Sequence, residues 1–226
     1  MQIYFVRHGE TAWNKEYRYY GKTDIPLNRT GEEQGTRVGT LLKDIAFDRI
    51  YTSPLERAIQ TKQLIVNEND KKEIEEFQSI RLSEQDLGIF EGYTYKQLEE
   101  QFPEKLKQWN EDFRSAPHGG ENFYDFYSRI YEFCEQEIGI SGLQPLETLL
   151  YHKPRQTREK TYLEVIKGNQ EKKVLIISHM AVFRCLFSIL LGMGEEAIWN
   201  FTMEQGTYSR IDIEDGYAII KKINQS

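Results

Sequence analysis

Four histidines occur in this 226-residue chain, and two of them stand just past short apolar runs. Ile3-Tyr4-Phe5-Val6 leads into Arg7-His8-Gly9-Glu10-Thr11, and Val174-Leu175-Ile176-Ile177 leads into Ser178-His179. Such runs read as strands buried on both faces, and ligands of open α/β sheets bind just beyond the carboxyl ends of such strands. If the two strands are neighbours, both imidazoles share one crevice. A third segment, Phe47 to Thr52, reads as a short strand running into Ser53-Pro54-Leu55-Glu56-Arg57. Ser53 and Glu56 have the spacing of a capping box, and Pro54 suits the first helical position. Arg57 then falls in the first helical turn, where the macrodipole disfavours a cation by about 0.3–1 kcal/mol and a bound anion reverses the penalty. Free amides at that helix start point to a phosphoryl group. Arg7, Arg57 and His179 would surround it with His8 alongside, the arginine cations keeping the His8 lone pair unprotonated.

Arg7-His8-Gly9-Glu10-Thr11 with Trp13-Asn14, Ser53-Pro54-Leu55-x-Arg57-Ala58-x-x-Thr61, and Ser178-His179 resemble the histidine phosphatase superfamily, also called phosphoglycerate mutase-like. The resemblance spans nearly the whole chain. Asp24-Ile25-Pro26-Leu27 with Gly31 is similar to the family's early loop, and Leu82-Ser83-Glu84 followed by Gly88 and Phe90-Glu91-Gly92 to its acidic segment. The resemblance implies that His8 is the nucleophile and forms phosphohistidine. Arg7, Arg57 and His179 would hold the non-bridging oxygens, and Glu84 would act as proton donor and then base. It also implies that Asn14, Tyr20, Gly21 and the residues after Glu84 line the ligand site. One departure is Met180, where family members usually carry glycine after the second histidine; its side chain is expected to narrow the phosphate pocket or reshape its entrance.

The elements that must position these residues read as alternating strands and helices. The expected class is α/β: a three-layer α/β/α arrangement, mostly parallel sheet with helices on both faces. Strands are predicted at Gln2–Val6, Arg49–Thr52 and Val174–Ser178, and a terminal hairpin at Tyr208–Ile213 and Tyr217–Ile223 around Glu214-Asp215-Gly216. Thr30 and Glu33 form a capping box opening a helix that carries Val38, Leu41 and Leu42 inward. A helix after Gly119-Gly120 places Phe123, Phe126, Tyr127, Ile130, Phe133 and Cys134 on a core-facing stripe. Ala181 to Leu191 reads as a buried helix stopped at Gly192. The chain is expected to form a single domain over 1–226. Thr94 with Gln97 caps a polar, Pro103-interrupted segment that forms a lid near 94–120, and residues near 140–172 form a helical insertion containing Leu149, Leu150, Tyr162, Leu163, Val165 and Ile166.

A net charge of −7 argues against nucleic acid as partner. No apolar run approaches the roughly 20 residues that span a membrane, and the start lacks the basic leader of a signal peptide. Cys134 and Cys185 lack framework spacing and suit the cytoplasm. No metal or other cofactor is expected, since His118 and His152 stand alone and read as surface or loop residues. The expected activity is therefore metal-independent hydrolysis of a small phosphomonoester; homo-oligomer contacts remain open. Two alternatives stand beside it: a phosphoglycerate mutase, and a non-catalytic phospho-ligand-binding regulatory protein. A mutase needs cations for the substrate's second anion. Between Leu82 and Ser128 the only cations are Lys96, Lys105, Lys107 and Arg114, against ten acids, which favours the phosphatase.

Overall fold

A computed structural model describes residues 1–69, 73–151 and 162–226. Its strands are β1 (Gln2–Arg7), β2 (Arg49–Thr52), β3 (Glu75–Gln78), β4 (Ile140–Ser141), β5 (Glu164–Val165), β6 (Lys173–Ser178), β7 (Tyr208–Glu214) and β8 (Tyr217–Gln225). The α-helices are α1 (Ala12–Lys15), α2 (Arg29–Leu42), α3 (Glu56–Glu68), α4 (Tyr95–Gln101), α5 (Pro103–Glu111), α6 (Phe123–Glu132), α7 (Leu146–Tyr151) and α8 (Met180–Leu191). The main sheet runs in the order β3-β2-β6-β1-β7-β8. β3, β2, β6 and β1 are parallel, and β7 and β8 join antiparallel at the β1 edge.

Alternation along β1 decides the layers. Ile3 and Phe5 face a core built with α6 and α8, whereas Tyr4 and Val6 face a second core built with α2 and α3. The α6 stripe is buried as its spacing predicts, and the helix runs on as a π-helical turn, Phe133–Ile138, that also buries Cys134. α8 is apolar almost all round, and its Phe183 and Phe187 meet Phe5 edge-on at 5.7 and 5.0 Å. Burial of each such ring stabilises the fold by about 1.5–3 kcal/mol. α8 ends at Gly192, whose φ of 62° is the left-handed conformation a C-cap glycine tolerates. The hairpin turn at Asp215-Gly216 also has positive φ at both positions, 49° and 80°.

Several local expectations are corrected. α2 is capped by Asn28, whose side chain accepts from the Gly31 amide, because Asn28 already lies outside helical φ/ψ while Thr30 is inside the first turn. Leu41 is 46% exposed, one position off the buried stripe of Val38 and Leu42. Leu149 and Leu150 are buried on α7, but Glu164–Val165 is a strand paired with Ile140–Ser141. The expected helix through Tyr162 and Ile166 is therefore extended chain; β-branched Val165 and Ile166 suit that conformation. His118 is buried, not a surface residue: it packs between Phe90 and Trp109 and accepts the Gly120 amide on Nδ1. His152 lies outside the described residues. The Thr94 and Gln97 capping box is present on α4, and α5 starts at Pro103.

Candidate active site

Pairing of β1 with β6 sets Arg7 opposite Ser178, so the chain leaves both strands at the same level. The His8 amide donates to the Ser178 carbonyl at 3.0 Å, and the imidazole centroids of His8 and His179 lie 5.1 Å apart. β2 flanks β6 on the other side, and the Ser53 amide extends the ladder to Ile177 at 3.0 Å. Three strand ends thus place His8, His179 and Ser53 around one crevice.

Each imidazole is held in one tautomer. His8 Nδ1 donates to its neighbour's carbonyl, Gly9 O, at 2.8 Å, which leaves the Nε2 lone pair for chemistry. Burial, and after it the Arg57 and Arg7 charges, push the His8 pKa well below 6.5. Ser53 Oγ accepts the Leu55 amide at 3.3 Å and lies 2.8 Å from His179 Nε2. Among the described residues Nε2 is the acceptor within reach of the hydroxyl proton, and a proton donated there puts the His179 proton on Nδ1. That atom is buried and has no partner. Burial and the same arginines also hold the His179 pKa well below its ordinary value.

Arg57 is fully buried, yet among the described residues no carboxylate lies within ion-pair distance of it. Its two terminal nitrogens donate to the carbonyls of Thr23 and Gly21 at 3.0 and 2.8 Å, the Tyr20 ring lies 4.6 Å below, and Nε is unpartnered. Arg7 donates to Met203 O at 2.8 Å, and its Nε is likewise buried and unpartnered. A buried cation without a counter-ion costs several kcal/mol unless an anion arrives. Three donors from three strand ends, Arg7 Nε, Arg57 Nε and His179 Nδ1, are therefore left open beside the His8 lone pair.

The first-turn position of Arg57 is as the sequence predicts, but the reason for an anion there is not. α3 begins at Glu56, Leu55 is its cap without a side-chain bond, and the Glu56 amide donates to Asp24 Oδ1 at 2.7 Å. The capping box of Ser53 and Glu56 does not form, because Ser53 is engaged with His179. Asn14 Oδ1 accepts from Tyr20 OH at 2.7 Å and caps the turn at Thr11, so the pair braces the ring beneath Arg57. Gly21 sits behind Arg57; a Cβ there would lie 1.6 Å from Gln85 O, so only glycine lets the two loops cross.

Glu84 is half-buried, with Oε1 accepting the Gln85 amide at 3.1 Å and Oε2 the Ala181 amide of α8 at 3.2 Å. Desolvation raises its pKa against those bonds and the two arginines. Its loop is clamped by Arg129, which donates to the carbonyls of Arg81 and Glu84 at 2.6 and 3.3 Å while paired with Glu121 at 2.7 Å. The Sδ of Met180 accepts the Met203 amide at 3.3 Å, next to the Met203 carbonyl that orients Arg7. Arg129, Ser53 as partner of His179, and Arg184 were not anticipated. Arg184 lies one helical turn past Met180 on α8, close enough to Arg7 and Glu84 to act on both, and donates to Phe201 O at 2.9 Å. Its i, i+4 spacing from the residue after His179 is the signal that could have found it. Two clefts open from the crevice, one of 740 Å³ walled by Glu84 and one of 460 Å³ walled by Arg7 and Asn14.

A family model described as the histidine phosphatase superfamily, branch 1, matches residues 3–140 and 153–226. The chain belongs to this superfamily. It is 31% identical to adenosylcobalamin/alpha-ribazole phosphatase of Salmonella typhimurium, over 99% of this chain and 96% of that protein. Phosphoserine phosphatase 1 of Hydrogenobacter thermophilus is 28% identical over 99% of this chain and 92% of its own. The alpha-ribazole phosphatase structure from Shigella flexneri superposes with a TM-score of 0.80 at 28% identity, covering 100% of this chain and 96% of that one. This histidine phosphatase is accordingly an enzyme that hydrolyses phosphate monoesters. Among the described residues no helix is long and apolar enough to cross a membrane, and no group of three or more His, Cys, Asp or Glu is placed to hold a metal ion.

Proposed function

We propose that His8 carries the phosphoryl group in a two-step, metal-independent hydrolysis. The observation that carries this reading is the buried Arg57 guanidinium with no carboxylate partner, beside two further open donors and a neutral imidazole nitrogen. A phosphate monoester fits that environment: Arg7, Arg57 and His179 Nδ1 take its non-bridging oxygens and gain strength as charge spreads over them in the transition state. The His8 Nε2 lone pair forms the N–P bond as the P–O bond breaks, and the Glu84 carboxyl gives its proton to the leaving oxygen. Glu84, now a carboxylate, takes a proton from water; the water oxygen attacks phosphorus, the N–P bond breaks, and the electron pair returns to Nε2. Orthophosphate leaves with His8 and Glu84 restored.

Turnover of p-nitrophenyl phosphate with a chelator present, in wild type and His8→Ala, tests the scheme. Activity that survives chelation and falls at least 10⁴-fold in the variant, roughly the range lost when a catalytic nucleophile is removed, with acid-labile phosphate trapped on wild-type protein only, is the expected result. Retained turnover in His8→Ala contradicts it. The relatives' named substrates make alpha-ribazole phosphate and phosphoserine the first natural esters to assay. The buried, unpaired Cys134 and Cys185 support placing the enzyme in the reducing cytoplasm.

A further inference from the structure

The leaving oxygen takes its proton from Glu84 in the scheme above, which directs the alcohol of the substrate toward the 740 Å³ cleft that Glu84 walls. That volume lies in the range of sites for drug-sized ligands, far more than a serine side chain fills. The cleft has two kinds of wall. Pro54, Leu55 and Ile80 are apolar, and Ile80 is 73% exposed, an isoleucine that the fold itself does not bury. The charged wall is internally compensated. Lys22 lies 3.7 Å from Asp86, and Arg129 is tied to Glu121 at 2.7 Å with its remaining donors on two carbonyls.

Among the described residues lining the cleft, the two cations, Lys22 and Arg129, already face Asp86 and Glu121, so a second anionic group would compete with a carboxylate for either. Once Glu84 has given up its proton, the cleft carries net negative charge. The nearby lid cations are engaged elsewhere: Arg114 pairs with Asp112, Glu195 and Glu196, and Lys105 donates to Pro117 O. A carboxylate or second phosphate on the alcohol would be desolvated against carboxylates without compensation. We infer that the cleft selects phosphomonoesters of a large uncharged alcohol, of nucleoside size and with an apolar face, and rejects esters whose alcohol bears an anion. This rests on the assignment of Glu84 to the leaving group and goes beyond it by fixing the substrate class.

The test ranks kcat/KM for a nucleoside 5′-monophosphate, glycerol 3-phosphate, phosphoserine and 3-phosphoglycerate, with p-nitrophenyl phosphate as reference. Calorimetric binding of the same esters to His8→Ala runs beside it. The nucleoside ester is expected to exceed phosphoserine and 3-phosphoglycerate by about 10-fold or more in both measurements, the scale of uncompensated charge in a partly solvated site. Ile80→Arg places a cation on the apolar rim, and is expected to narrow that gap several-fold, read as the ratio of kcat/KM for the nucleoside ester to that for 3-phosphoglycerate within each protein. Preference for an anionic alcohol, or a gap that Ile80→Arg leaves as in wild type, overturns the inference. Failure of the His8 scheme would appear separately, as p-nitrophenyl phosphate turnover persisting in His8→Ala, and the binding ranking would still decide the substrate class.

Discussion

At the scale of single residues, two neighbouring groups are driven in opposite directions by the same burial. Desolvation penalises the charged form of each, so His8 stays neutral below its ordinary pKa while the Glu84 carboxyl stays protonated above its own. In the proposed scheme neutral His8 and protonated Glu84 together define the competent form, bounded on the acid side by His8 and on the alkaline side by Glu84. Activity is therefore expected to fall as pH rises through the elevated Glu84 value. Glu84→Gln keeps one of the two acceptor oxygens used by the Gln85 and Ala181 amides and has no acidic proton to give. It should lower kcat on alkyl phosphates by about 10²–10⁴-fold, the usual worth of general acid catalysis, while p-nitrophenyl phosphate, whose leaving group needs little help, loses far less. A pH profile of kcat/KM in both proteins checks this; equal losses on both esters, or an alkaline limb that persists in the variant, would contradict the role.

The elements that bear His8 and His179 were legible because their patterns are strong: two apolar runs closed by these histidines, and the apolar α8 ended by Gly192. What could not be read was how side chains from distant segments resolve competing bonds. Ser53 has the spacing of a helix cap, yet a 2.8 Å bond to His179, 126 positions away, takes its hydroxyl. Asn28 displaces Thr30 at α2, and the stretch around Val165 pairs with β4, because local spacing cannot weigh tertiary partners. Arg129 is the clearest case. Nothing in the run Tyr127-Ser128-Arg129-Ile130 signals that α6 reaches across to hold the acid loop by two carbonyls. Arg129→Met is expected to cost about 1–3 kcal/mol in stability by leaving Glu121 and those carbonyls unpaired. It should also lower kcat on alkyl esters about 10-fold, a loss estimated from the sensitivity of acid catalysis to placement, with little change for p-nitrophenyl phosphate. A uniform loss across leaving groups would mark Arg129 as structural alone.

For the molecule as a whole, the crevice that keeps imidazoles neutral makes folding dependent on pH. His8, His179 and His118 all have folded pKa values depressed chiefly by burial. The unfolded chain binds protons at these groups near 6.5 and the folded chain does not. Their contribution is thus complete above about pH 6.5 and is lost as pH falls toward the depressed values. Glu84 acts oppositely: its raised pKa is a cost at neutral pH, relieved as it takes up a proton on acidification. One carboxyl offsets one imidazole, so the histidines win. Each uncompensated histidine contributes a slope of about 1.4 kcal/mol per pH unit below 6.5, a large share of the 5–15 kcal/mol typical of a domain. The interval from 6.5 to 5 lies above the ordinary carboxylate value of 4.5, so surface acids such as Glu75 add little to the change there. Urea midpoints measured at pH 7 and pH 5 should show the fold weaker at pH 5 by about 1–3 kcal/mol, and His118→Gln, which has no proton to gain, should flatten the dependence. A midpoint equal or higher at pH 5 would mean that the imidazoles are charged in the folded protein, and with that the neutral nucleophile at His8 would fall.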